Sequence, residues 1–191
     1  MCPGRVGNGA ITATDQSGFW RDTDGRQLWP EHTRGTEGEI VSTPRPRNTS
    51  DRRNARIVVV QILYQDDLNP QHSPVWDEDL IKRRLRHPQL VAFAQSLLAG
   101  VRLHQTELDA KLAAVTENWS LSRMAITDRN VLRLGAYELL YSDTPPRVVI
   151  DEAVELAKLF GTQQSGQFVN GILDRLYRDI ASHHGTSVES S

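Results

Sequence analysis

An amphipathic helix is encoded in the C-terminal half of the chain by the segment Thr127-Asp128-Arg129-Asn130-Val131-Leu132-Arg133-Leu134-Gly135-Ala136-Tyr137-Glu138-Leu139-Leu140-Tyr141. Its apolar residues recur at spacings of three and four, which places them on one side of a helix. Thr127 or Asp128 is expected to cap the N-terminus of this helix, because both side chains can accept a hydrogen bond from a backbone N–H group. The segment therefore predicts a helix with one buried side.

The same helical period continues outward from this segment through residues 51–180, and no segment shows the alternation of a strand. Residues 55–64 carry two apolar stripes, so the first helix is expected to be buried on two sides. Pro145-Pro146 separates the quoted segment from a further amphipathic helix that Gly161 ends. The sequence predicts an all-α fold with six or seven helices and no sheet.

Three regions differ in composition along the chain. Residues 1–50 contain 7 of the 13 glycines and few apolar positions, which predicts a disordered or weakly ordered N-terminal extension. The part from Ser42 to Ser50 has the prolines and polar residues of a linker. Residues 51–180 form the predicted helical domain, and residues 181–191 are expected to be a frayed polar tail.

Composition excludes several classes of protein. No apolar run approaches the roughly 18 residues of a membrane-spanning helix, and the N-terminus lacks the apolar core of a secretion signal. These features predict a cytoplasmic protein. The single cysteine, Cys2, excludes an intrachain disulfide and a multi-thiolate zinc site. A formal charge of −2 argues against nucleic-acid binding by the whole surface, so any such contact must be local.

A small basic arm is the clearest local charge feature. Arg45, Arg47, Arg52, Arg53 and Arg56 lie within 12 positions, with a single acid among them. The last three fall at the N-terminal end of the first predicted helix, between its apolar stripes, where long side chains are expected to reach solvent. Cations are disfavoured at this end of the helix dipole, by about 1 kcal/mol or less each, which favours a nearby anion.

Phe168 lies at the edge of the apolar stripe of the last predicted helix, beside Gln164. An aromatic ring at such an edge can stack on an unpaired nucleic-acid base. Periodicity by itself favours the alternative, in which Phe168 only packs at the edge of the helix.

Charged residues near the start of the quoted segment have two interpretations. Arg129 and Arg133 can meet phosphate, but spacing favours pairing of Arg133 with Glu138 or with acids of a neighbouring helix. For Asp128, a role as a helix cap or as an acid that compensates the helix dipole is a simpler explanation than binding to another protein.

No catalytic, metal or cofactor site is predicted. Asp151, Glu152 and Glu155 lie on a polar face without the histidines of a carboxylate metal site, so they are expected to be solvated. The histidines lack metal-ligand spacing, and the glycine-rich nucleotide loops and the nucleophile elbow are missing from the sequence. We therefore expect a binding protein and not an enzyme.

Residues 51 to about 180 resemble the NusB family in five blocks that occur in the family's order. These blocks are Arg52-Arg53-Asn54-Ala55-Arg56 leading into Gln61-Ile62-Leu63-Tyr64-Gln65, then Leu97-Leu98-Ala99-Gly100-Val101, the segment from Thr127 to Tyr141, Val149 to Gly161, and Gly166 to Asp174. Any one block is a weak signal, whereas five in order are specific. The resemblance implies two three-helix bundles arranged about a common first helix.

The resemblance also implies a function in transcription antitermination. Members of the family pair with NusE, a small-subunit ribosomal protein, on the single-stranded boxA element of nascent ribosomal transcripts, and the complex helps RNA polymerase to resist termination. Transferred by position, it implies that Arg52, Arg53, Arg56, Gln164 and Phe168 contact RNA. Asp128, with Arg129 beside it, is implied to face NusE.

This sequence departs from the family pattern at two places. Asp151 stands where asparagine is usual, and Gln163-Gln164 replace residues that are commonly acidic. The first change is expected to be tolerated at the surface and the second to alter RNA affinity. Two alternative functions are a homodimeric helical interaction protein without RNA binding and the appendage of a ribosomal RNA methyltransferase, whose catalytic domain this sequence does not show.

Overall fold

The computed structural model describes residues 48–69, 74–116 and 120–185, and within these ranges the chain is helical apart from short connections. The helices are α1 (Asn48–Leu68), α2 (Pro74–Arg84), α3 (Pro88–Leu103), α4 (Gln105–Val115), α5 (Ile126–Tyr141), α6 (Pro146–Phe160) and α7 (Ser165–Gly185), with a 3-10 turn at Leu121–Arg123. The described ranges contain no strand. The prediction of an all-α fold with six or seven helices is confirmed.

Two predicted boundaries shift in the structure. Helix α1 begins at Asn48, inside the expected linker, and α7 continues to Gly185, beyond the end expected at residue 180. The rest of the expected extension, residues 1–47, and of the expected tail, residues 186–191, lie outside the described residues. Of the helices in the described ranges, none combines the length and apolarity that crossing a bilayer requires.

Helix α1 is buried along most of its length, as its two apolar stripes predicted. Every residue from Ala55 to Leu63 is buried, including the polar Arg56 and Gln61. The helix packs against α2 and α3, which also contact each other, and against α5. Burial on more than one side makes α1 the shared element of the fold.

The C-terminal helices form the second bundle, in which α5, α6 and α7 all pack against one another. Helix α4 follows α3 and packs on α5 and α7. At Gly135 of α5, a Cβ atom would lie 2.6 Å from Cδ1 of Leu173 in α7, so a side chain there would require Leu173 to move. The glycine in the middle of the apolar side of α5 thus allows this close packing.

Asp66, near the end of α1, connects that helix to α2 and α3. Its carboxylate accepts hydrogen bonds of 2.8 and 2.7 Å from Nε and Nη2 of Arg102 in α3. The same guanidinium donates a 2.7 Å bond to Asp77 of α2. These contacts raise the pKa of Arg102, chiefly through the bond to Asp66.

Asp67, the next residue, connects α1 to α5 of the second bundle. Its carboxylate accepts hydrogen bonds from Arg129 (2.9 Å), Asn130 (3.1 Å) and Arg133 (3.2 Å) of α5. Arg133 also donates two 2.7 Å bonds to Asp109 of α4. The predicted pairing of Arg133 with acids of neighbouring helices is therefore confirmed, and two adjacent aspartates of α1 anchor different bundles.

Candidate functional site

The three arginines at the start of α1 lie in different surroundings. Arg52 is exposed, Arg53 is partly buried, and Arg56, one turn after Arg52, is buried. Arg52 and Arg56 are four positions apart and share one face of the helix, whereas Arg53 points in a different direction and meets a different neighbour. The basic arm is therefore not a uniform cationic surface.

Arg56 is only 2% exposed and forms an ion pair with Glu138 of α5. Its Nε and Nη2 atoms donate hydrogen bonds of 2.8 and 2.6 Å to the two carboxylate oxygens. A buried guanidinium requires such a partner, since an unpaired charge in the interior is strongly destabilising. The expectation that Arg56 reaches solvent is wrong, because α5 supplies a buried carboxylate. Arg56 is therefore not part of the exposed cationic surface at the start of α1.

Arg53 binds Glu152 of α6 in the same two-bond geometry, at 2.9 and 2.8 Å, and lies 4.0 Å from Glu155. The hydrogen bond to Glu152 is the main cause that raises the pKa of Arg53 above its ordinary value. The expectation of a solvated Glu152 is wrong, because this residue is buried beneath Arg53, whereas Asp151 is exposed. The Arg53 side chain remains 39% exposed and can still reach an anion.

Arg52 is the most exposed of the three arginines at the start of α1. Its guanidinium carbon lies 5.0 Å from the ring centroid of Phe93 in α3, and that of Arg56 lies 5.2 Å from the same ring. Cation–π contacts of this kind are worth roughly 0.5–1 kcal/mol at exposed sites. The contact of Phe93 with two arginines gave no sequence signal, because spacing along α3 does not show what faces its ring.

The turn between α6 and α7 is fixed by a set of polar contacts. The Ser165 hydroxyl donates a 3.0 Å hydrogen bond to Oδ2 of Asp128 in α5 and accepts a 2.9 Å bond from the Thr162 N–H group. At Gly161, a Cβ atom would lie 2.3 Å from Oγ of Ser165 and 2.7 Å from Oδ1 of Asp128. A side chain at position 161 would therefore require Ser165 and Asp128 to shift.

Asp128 does not cap α5, and neither does Thr127. The helix begins at Ile126 with Ala125 as N-cap, and no side chain caps it. Oδ2 of Asp128 is engaged by Ser165, while Oδ1 is buried and accepts no hydrogen bond from the described residues. Burial raises the pKa of Asp128, and the hydrogen bond from Ser165 opposes this shift. The capping prediction is wrong because the carboxylate points toward the α6–α7 turn.

Gln164 immediately precedes α7 and Phe168 lies on its first turn, where the Phe168 N–H group donates a 3.1 Å bond to the Gln164 carbonyl. Gln163 and Gln164 are exposed and Phe168 is partly buried. The stem of Lys158 in α6 packs beside this turn, since a Cβ atom at Gly166 would lie 3.1 Å from its Cγ. No sequence signal pointed to Lys158, because spacing along α6 does not show that its stem packs beside α7.

Helix α6 connects the arginines of α1 with the first turn of α7. Glu155 lies 4.0 Å from Arg53 and accepts a 2.7 Å bond from Lys158, which packs beside that turn. From Glu152 to Lys158 the helix rises about 9 Å, a span that a short oligonucleotide can follow. The structure therefore brings two of the predicted RNA-binding groups, near Arg53 and near Phe168, to one helix.

Arg129, predicted to face a protein partner, is engaged within the chain. Its Nη2 atom donates a 2.9 Å bond to Asp67, and its side chain is 17% exposed. The structure thus places Asp128 and Arg129 side by side at the start of α5, with both side chains in contact with other helices. Among the described residues, no group of three or more His, Cys, Asp or Glu is arranged to hold a metal ion.

Comparison with known proteins identifies the family. The model of the NusB family matches residues 53–178. The transcription antitermination protein NusB of Anaeromyxobacter dehalogenans is 41% identical over 133 residues, which cover 67% of this chain and 91% of that protein. The matched range includes Arg53, Asp128 and Phe168, whereas Arg52 lies just outside it.

Solved structures agree with this match. T. maritima NusB has a TM-score of 0.61 and 36% identity, covering 73% of this chain and 94% of its own. Antitermination factor NusB in a complex with NusE and dsRNA has a TM-score of 0.61 and 27% identity, covering 68% of this chain and 98% of its own. Because the family model matches residues 53–178 and a relative of 41% identity covers 67% of the chain, this chain belongs to the NusB family.

Proposed function

We propose that this protein is a transcription antitermination factor that binds boxA-type RNA together with NusE and helps RNA polymerase to resist termination. The observation that carries the proposal is the match to antitermination protein NusB over 91% of that protein's length. The solved NusB–NusE–dsRNA assembly, which shares the fold, supports both partners. The proposed activity is binding and requires no catalytic residue.

The proposed RNA surface runs along α6, between the start of α1 and the first turn of α7. Arg52 and Arg53 supply guanidinium groups for phosphate or base edges, and Lys158 adds a third cation close to the turn. Phe168 supplies a ring edge or face for an unpaired base, with Gln164 beside it as a hydrogen-bonding group. RNA phosphates would compete with Glu152 and Glu155 for Arg53, so the chain alone is expected to bind RNA modestly.

The partner surface is proposed at the start of α5, around Asp128 and Arg129. The ion pairs of Asp67 fix this end of α5 relative to α1, so the surface is preorganised before NusE binds. Preorganisation lowers the entropy cost of association. NusE is expected to supply the RNA affinity and selectivity that the small cationic surface of the chain lacks.

The test is a titration of fluorescently labelled boxA RNA, followed by anisotropy, with and without NusE. Phe168→Ala should weaken RNA binding by about 1–3 kcal/mol, the range for loss of one stacked base. Tyr177→Ala is the matched control, because Tyr177 is an exposed aromatic on the opposite side of the same helix. Equal affinity of wild type and Phe168→Ala would contradict the assignment of Phe168, and failure of the wild type to bind RNA with or without NusE would contradict the function.

A further inference from the structure

The contact between Asp128 and Ser165 joins the proposed partner surface to the proposed RNA surface. Asp128 lies in the first turn of α5, and Ser165 is the first residue of α7, 37 positions later. Ser165 is 2% exposed, so their hydrogen bond is shielded from solvent. A shielded hydrogen bond to a carboxylate is among the stronger neutral–charged contacts in proteins.

The hydroxyl of Ser165 has little capacity for any other arrangement. It has a single hydrogen, which it donates to Asp128, and it accepts the Thr162 N–H group. The Thr162 hydroxyl lies 3.3 Å from Oγ of Ser165 and can donate to the remaining lone pair of that oxygen. The serine therefore connects the carboxylate of α5 with the backbone of the α6–α7 turn.

The turn has no room to move toward Asp128. Gly161, the residue after α6, lies so close to Ser165 and Asp128 that a Cβ atom would overlap both. Close packing on one side and the hydrogen bond on the other leave one position for Ser165. Because Gln164 shares a peptide bond with Ser165 and accepts the N–H of Phe168, the position of Ser165 also sets the positions of these two groups.

Asp128 has limited capacity for a direct contact with another protein. One carboxylate oxygen is bound by Ser165, and the other is buried against Gly161. Oδ1 is therefore closed to a donor on a partner, and Oδ2 is already engaged by Ser165. The geometry thus directs this acid toward α7.

We propose that Asp128 is a positioning residue for RNA binding, which acts through Ser165 on the first turn of α7 and thereby on Gln164 and Phe168. The proposal rests on the proposed RNA-binding function. It differs from a role for Asp128 at the partner interface or at the helix dipole of α5, because neither of those roles requires Ser165. The two residues are therefore expected to act as a unit.

The experiment compares Ser165→Ala, Asp128→Ala and the double variant in titrations with labelled boxA RNA, in the absence of NusE. Each single variant should weaken RNA binding by at least about threefold, and the double variant should be no weaker than the weaker single one. Asp128→Asn, which keeps an oxygen acceptor for Ser165, should recover most of the affinity lost in Asp128→Ala. Ser142→Ala is the matched control, because Ser142 also accepts a backbone N–H and donates to an oxygen, but at the far end of α5.

Two further measurements separate positioning from loss of fold. Ser165→Ala should bind NusE with wild-type affinity, and amide hydrogen exchange at Thr162 and Phe168 should be faster in Ser165→Ala and Asp128→Ala than in Ser142→Ala. Wild-type RNA affinity in Ser165→Ala, or additive losses in the double variant, would overturn the proposal. If the wild type binds no RNA either with or without NusE, the proposed function fails, whereas the exchange rates still decide whether Asp128 positions the turn.

Discussion

Arg56 and Glu138 join α1 to α5 through two parallel hydrogen bonds of 2.8 and 2.6 Å, and their side chains are only 3% and 2% exposed. The pair lies one turn from Arg52, which is exposed. Arg52 and Arg56, which belong to one short motif, therefore have different roles. Arg56 connects the two bundles, and Arg52 remains accessible to a ligand.

Arg56→Ala is expected to lower the free energy of unfolding by about 3–5 kcal/mol, because it leaves the Glu138 carboxylate buried without its partner. Replacing both residues, as Arg56→Met with Glu138→Leu, should recover much of that loss, since no buried charge then remains. Urea denaturation followed by circular dichroism measures both. Arg83→Ala, at an exposed arginine of α2, is the control. A loss in Arg56→Ala no larger than in this control would show that the pair is not structural.

Arg52→Ala should weaken RNA binding and also reduce its dependence on salt. For single-stranded nucleic acid, the slope of log K against log salt changes by about 0.7 for each phosphate contact. Stability should change little, because Arg52 is exposed and its contact with Phe93 is weak. Titrations at several salt concentrations, with Arg83→Ala as control, measure the slope. An unchanged slope with weaker binding would indicate that Arg52 contacts a base and not a phosphate.

The helical fold was predictable from sequence because the apolar residues keep the period of an α-helix. The two stripes on residues 55–64 correctly indicated a helix buried on more than one side. Periodicity describes each helix separately, however, and does not show what faces its polar positions. The carboxylate partners of Arg53 and Arg56 lie 99 and 82 positions away in the sequence. The expectations that Arg56 and Glu152 are exposed to solvent therefore had no local signal against them.

The start of α5 shows the same limit for the candidate site. An aspartate in a first helical turn is ordinarily explained by the helix itself, as a cap or by the dipole. Here the carboxylate is directed instead to Ser165, a residue that only the packing of α7 beside α5 brings close. Side-chain direction at a helix end thus depended on tertiary contacts that spacing cannot encode.

Asp67 should contribute stability that depends on pH. Burial opposes ionisation most strongly, but the hydrogen bond from Arg129 and the charge of Arg133 together lower the pKa of Asp67 below its ordinary value. A depressed folded-state pKa gives stability that is present above the ordinary carboxyl pKa, about 3.9, and is lost as pH falls through the lower folded value. The stability difference between wild type and Asp67→Asn should therefore be constant at neutral and mildly acidic pH and shrink below about pH 4.

Urea denaturation at several pH values measures this difference. Asp143→Asn, at an exposed aspartate, is the matched control. A difference that grew as pH fell would have the wrong sign and would contradict the assignment of Asp67 as an ionised anchor between the bundles.

Gly161→Ala should disturb the turn that bears the proposed RNA-contacting groups. The backbone there has a φ of −103°, which any residue can adopt, so the requirement for glycine comes from space and not from conformation. The added Cβ would lie 2.3 Å from Oγ of Ser165 and 2.5 Å from its Cβ, and the α6–α7 turn must shift to accept it. Overpacking of this kind typically costs about 1–3 kcal/mol of stability.

Gly171→Ala is the matched control, because apart from its chain neighbours and its own helical backbone no atom lies within 4 Å of a Cβ added at this exposed position of α7. Alanine favours the helix there by up to about 1 kcal/mol, so this variant should be slightly more stable and bind RNA normally. Thermal unfolding measures the stability of both variants, and RNA titration measures their affinity for RNA. If Gly161→Ala kept wild-type RNA affinity although its turn had shifted, the position of Ser165 would not control Phe168, and the coupling of α5 to the RNA surface would have to be abandoned.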